Sequence, residues 1–129
     1  MFWFSTDGEG SALTAGTRPG GNIANGNSVM YDTGKILNCG GSESFAWEEY
    51  PATDAASLIT INEANTQASV KELAPMKLAR VYANGMAMPD GKVLITGGAS
   101  HPLEFSDKYA HFQPGAMPPC CCCCIVPVI

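Results

Sequence analysis

The sequence predicts an all-β chain, and three observations carry that reading. The stretch "GKILNCGGS" at residues 34–42 returns as "GKVLITGGA" at residues 91–99. Its flanks, "NSVMYDTGKIL" and "NGMAMPDGKVL", keep one register: Asn27 matches Asn84 and Gly34 matches Gly91, an offset of 57 residues. A fixed period marks a repeat architecture. The apolar runs are also short, of strand length, and are punctuated by turn residues. No helical period is sustained; only "APMKLARVYANG" has room for a single turn.

Residues 1–26 form a lead-in segment: an aromatic start followed by "DGEGSALTAGTRPGGN", whose glycines read as irregular coil. Residues 27–83 make the first repeat. "SVMY", "DTG" and "KILNC" read as two strands and a tight hairpin, "SLITIN" as a third strand and "ASVKEL" as a fourth after the turn "EANTQ". Residues 84–117 make a partial second repeat, with "GMAM", the turn "PDG", "KVLIT" and then "KYAHF" as its third strand. Residues 118–129, "PPCCCCCIVPVI", form a low-complexity Cys/Pro tail.

Strands grouped in fours at this period fit the blades of a kelch-type β-propeller, here a fragment of about two four-stranded blades. The paired glycines then have a physical role. Glycines can take positive φ where a blade's second strand ends and let a neighbouring backbone approach. Two blades alone leave apolar faces and strand edges open, so other blades or another protein would have to cover them.

Composition excludes several classes. The chain has 129 residues, 46% of them hydrophobic, with net charge −5 and only seven Lys plus Arg, so no basic surface for nucleic acid exists. No apolar run is long enough for a membrane span. "MFWFSTDGEG" is not a signal peptide, since it lacks a basic start and its apolar part stops at Phe4. Five of six cysteines, Cys120, Cys121, Cys122, Cys123 and Cys124, stand in one run, unlike a disulfide framework.

"NGNSVMYDTGKILNCGGS", together with "MFWFST", "LITI" and "RVYANGMAMPDGKVLITGGA", resembles the copper-radical oxidases of the galactose oxidase and glyoxal oxidase type. The resemblance runs over roughly residues 1–114. It implies a kelch propeller that oxidises a primary alcohol or an aldehyde while O2 is reduced to H2O2. It also implies one copper held by histidines and tyrosines, one tyrosine being linked to a cysteine, with the cofactor carrying the hard chemistry. The family is mostly secreted, but the opening of this chain carries no export signal, so its compartment is left open.

Carried over by position, the resemblance puts the family's linked cysteine at Asn25 and its radical tyrosine at Phe45. Neither an amide nor a phenyl ring supplies that chemistry. Tyr50, in a loop about two residues longer than the family's, is the alternative tyrosine. A substrate-binding arginine falls at His101, and the remaining copper ligands have no match here. The expectation is an incomplete, inactive member with no copper of its own. The rival is a non-catalytic kelch module whose loops bind a carbohydrate or a protein.

Other candidates have plainer readings. His101 and His111 with the cysteine run do not show zinc-ligand spacing, although Cys120 and Cys123 could pair around an ion. Glu48, Glu49 and Asp54 read as a solvated loop rather than an acid–base pair. Trp47 reads as a cover for the blade end or a stacking surface, and Arg80 and Tyr82 as packing between blades.

Overall fold

The computed structural model describes residues 1–20, 23–45 and 49–103 and the backbone strand at 123–127. Its elements are β1 (Phe2–Ser5), β2 (Ser11–Thr14), β3 (Asn27–Asp32), β4 (Lys35–Cys39), β5 (Ala56–Thr60), β6 (Ser69–Glu72), β7 (Asn84–Ala87), β8 (Lys92–Thr96) and β9 (Cys123–Pro127). No helix occurs among the described residues, and "APMKLARVYANG" runs through bends into β7. All pairings are antiparallel: β1-β2, then β3-β4-β5-β6, then β7-β8-β9.

The first repeat folds as its alternation dictates. Val29 and Tyr31 on β3, and Leu37 and Cys39 on β4, share one face because Val29 stands opposite Leu37 and Asn27 opposite Cys39. That face meets Val93 and Ile95 of β8 to form the core, with Ala56 and Met76 completing it. Leu37, Val93 and Ile95 have no solvent exposure. Each hairpin carries an aspartate–lysine pair, Asp32–Lys35 at 3.1 Å and Asp90–Lys92 at 2.6 Å.

The glycine pairs behave alike in both repeats. Gly40 and Gly97 both have φ of 67°, and Gly41 and Gly98 have φ of 102° and 91°. A Cβ on Gly98 would stand 2.6 Å from the Val81 carbonyl, so a side chain is excluded there by crowding as well as by conformation. Matching isolated bridges, Ala24 with Ser42 and Val81 with Ala99, close each repeat at the same point.

Two segments differ from their sequence reading. Residues 1–26, read as coil, hold the β1-β2 hairpin, in which Phe2 faces Thr14 and Ser5 faces Ser11. Its strands have four residues each and mostly exposed side chains, so no alternating pattern announces them. The tail contributes β9, which pairs Cys123 with Thr96 and Pro127 with Lys92. The third strand of the second sheet is thus drawn from "CCIVP", while "KYAHF" lies outside the described residues.

Candidate functional site

Asn25, Phe45 and Tyr82 meet where the two repeats join. Asn25 and Tyr82 occupy the same repeat position, 57 residues apart, and both are non-glycine residues in the left-handed region, at φ 57° and 56°. The Tyr82 backbone N–H donates to the Asn25 carbonyl at 3.0 Å. Asn25 Nδ2 donates to the Phe45 carbonyl at 3.0 Å and to the Tyr82 hydroxyl at 3.2 Å. The Tyr82 hydroxyl itself donates to the Phe45 carbonyl at 2.6 Å. Three residues from three segments are thereby locked together, with the Phe45 ring left 69% exposed.

Phe45 lines a wide depression of about 640 Å3 with Glu43, Arg18, Thr17 and Ile23. Arg18 is anchored there, donating from Nη1 to Asn38 Oδ1 at 2.6 Å and from Nη2 to the Ile23 carbonyl at 3.2 Å. Tyr50 lies apart from this depression. It borders a smaller cavity with Glu43, Ser44 and Glu49, and its carbonyl accepts the Ser42 hydroxyl at 2.9 Å. His101 is half-buried, with Nδ1 3.1 Å from Ser100 Oγ. Its loop reaches the Tyr50 loop through the Ala52 N–H, which donates to the Ser100 carbonyl at 2.8 Å.

Arg80 is 1% exposed at the joint, donating from Nη1 to the Gly97 carbonyl at 2.7 Å. Asp54 and Glu49 are exposed. Trp47, Glu48, His111 and Cys120 to Cys122 lie outside the described residues. Asn25 and Tyr82 could have been linked from sequence, since the 57-residue offset alone makes them mates. The Phe45 carbonyl that joins them gives no sequence signal, because any residue carries one.

Among the described residues, no group of three or more His, Cys, Asp or Glu side chains gathers to hold a metal ion. Cys39 is buried at 3% exposure inside the apolar core, out of reach of a surface ion.

No known family profile matches the chain. Two galactose oxidases of Gibberella zeae, one of them from strain PH-1, are each 34% identical over 122 residues, covering 88% of this chain and 18% of theirs. A solved fungal alcohol oxidase of the AA5 family, in complex with copper, is 35% identical with a TM-score of 0.79, covering 88% of this chain and 25% of that one. The chain therefore spans less than a fifth of the length of the galactose oxidases it matches. The all-β arrangement fits a fragment of a galactose oxidase-type β-propeller. On that likeness in sequence and in fold, the chain belongs to the galactose oxidase-like copper-radical oxidase family.

Proposed function

We propose that this chain supplies kelch-type propeller scaffold to a copper-radical oxidase and does not itself hold the copper. The reaction assigned to the whole protein is two-electron oxidation of a primary alcohol to an aldehyde, or of an aldehyde onward, with O2 reduced to H2O2. The observation that carries this reading is the likeness to the copper-bound alcohol oxidase at a TM-score of 0.79. The donor set supports the division of labour, since the described residues gather no metal-binding cluster. Asn25, at the position the resemblance gives to a cysteine, spends its amide on Phe45 and Tyr82. Phe45, at the position given to a tyrosine, offers the network only its carbonyl.

Loading the purified chain with copper(II), desalting it and measuring metal by mass spectrometry tests the reading. Peroxide release is assayed in parallel with galactose and simple aldehydes. The expected outcome is much less than one retained copper per chain and no peroxide. One firmly held copper per chain, with peroxide formed, would overturn it and point to Tyr50 and His101.

A further inference from the structure

The first sheet carries a polar row beneath the lead-in segment. Asn38 on β4 stands opposite Ser57 on β5, and Ser57 opposite Glu72 on β6, so the three side chains share one face. The lead-in crosses that face, where Arg18 Nη1 donates to Asn38 Oδ1 at 2.6 Å and Arg18 Nη2 to the Ile23 carbonyl at 3.2 Å. Between the row and the lead-in lies a cavity of about 250 Å3. Asp54, Ser57, Glu72 and Leu73 of the sheet and its loops line it on one side, Pro19 and Ile23 of the lead-in on the other. Floor and roof both come from this chain.

Three polar groups at this cavity have no partner among the described residues. Ser57 is only 8% exposed, yet its hydroxyl makes no hydrogen bond there. The Asp54 and Glu72 carboxylates likewise have neither hydrogen bond nor ion pair; the aspartate–lysine pairs belong to the hairpins. Asn38 differs. Its Nδ2 donates to the Ser28 hydroxyl at 2.7 Å and to the Asn27 carbonyl at 3.3 Å, and its Oδ1 accepts from Arg18. The Arg18 guanidinium is thus spent on Asn38 and Ile23, and Arg18 lines the wide depression beside Phe45. A nearly buried polar group without a partner is costly, and calls for a group that satisfies it.

We propose that this cavity binds a short aliphatic diamine in its protonated form. Its two positive charges answer the Asp54 and Glu72 carboxylates, and the Ser57 hydroxyl oxygen accepts a further N–H. Ammonium groups bring donors only, and the carboxylates offer acceptors only, so the two sets match. The carbon chain lies against Pro19, Ile23 and Leu73. A calcium ion is the poorer match, because it takes about six to eight oxygen ligands. The described residues gather no group of three or more His, Cys, Asp or Glu side chains, and the apolar walls replace none of its water. A neutral sugar would leave both carboxylate charges unanswered. The site is separate from the Asn25–Phe45–Tyr82 network and rests on no assignment of copper.

Amide NMR titration of the full chain with putrescine, at moderate salt, tests it. The wild type is expected to saturate, with the largest shifts at Ser57, Glu72 and Leu73, and to ignore the neutral diol of equal length. These wild-type shifts locate the site without any variant. Asp54→Asn and Glu72→Gln keep the size and remove the charge, so each is expected to weaken binding about tenfold or more. Ser57→Ala should weaken it severalfold. A wild type that shows no saturable binding overturns the proposal. So does binding that both charge variants retain in full, or shifts that spread over the surface, which would mean loose attraction to a chain of net charge −5. Saturation by calcium chloride with none by putrescine would make this a metal site and overturn it equally.

Discussion

Tyr82 holds a backbone conformation that bulky residues rarely adopt, at φ 56°. Such a residue costs on the order of 1–3 kcal/mol and persists only where its surroundings fix it. Here the fixing groups are the Asn25 carbonyl, the Asn25 amide and the Phe45 carbonyl. The paired glycines allow a cleaner test of backbone demand. Gly97→Ala has only the left-handed conformation to accommodate, a loss of about 1–2 kcal/mol. Gly98→Ala has the same conformation to bear and must also displace the Val81 carbonyl, 2.6 Å from the new Cβ, adding roughly 1–3 kcal/mol. Urea denaturation of the two variants measures the difference, and equal losses would contradict it. The glycines themselves were legible in sequence, since a repeated "GG" after a strand implies a conformational need. Which glycine is crowded was not, because the crowding atoms come from the connection to the next repeat.

Two hairpins share one electrostatic device. The Lys35 side-chain hydrogen bond is the main influence holding Asp32 below the ordinary aspartate range, with the Thr33 N–H and the Lys35 charge acting the same way. Asp90 is held low chiefly by the Lys92 side-chain hydrogen bond. A carboxylate favoured in the folded state contributes stability that is present above its unfolded-chain pKa and lost as pH falls through the lower folded value. Both pairs are solvent-exposed, so the contribution is small and screened by salt. Carboxyl-carbon NMR titration should find both groups below the ordinary aspartate range, and Lys35→Met and Lys92→Met should each return its own partner upward. An aspartate unmoved by loss of its lysine would rule the device out. These hairpins were readable because "DTGK" and "PDGK" sit between alternating runs. The β1-β2 hairpin was hidden because Gly8 and Gly10 read as coil and its strands bury almost nothing. β9 was hidden because a cysteine run has no alternation.

At the scale of the molecule, repetition made the fold legible and left the candidate site obscure. A period imprints itself on every strand, whereas the Asn25–Phe45–Tyr82 network draws on three segments and depends on main-chain carbonyls. The chain spans 18% of the length of the galactose oxidases it matches. Buried Arg80 has a further consequence, for the way the structure opens. Its N–H donates to the Thr53 carbonyl at 3.2 Å, its carbonyl accepts the Gly41 N–H at 2.9 Å, and its guanidinium reaches the Gly97 carbonyl at 2.7 Å. One side chain and its own peptide groups therefore clasp a loop of the first sheet and the exit of the second. Local opening of either sheet must release the same clasp, so the amide protons of Gly41 and Ala99 should exchange with deuterium as one cooperative unit. Arg80→Lys loses the planar fork while keeping the charge, and should split that unit into two rates; separate rates already present in the wild type would mean that the sheets breathe independently.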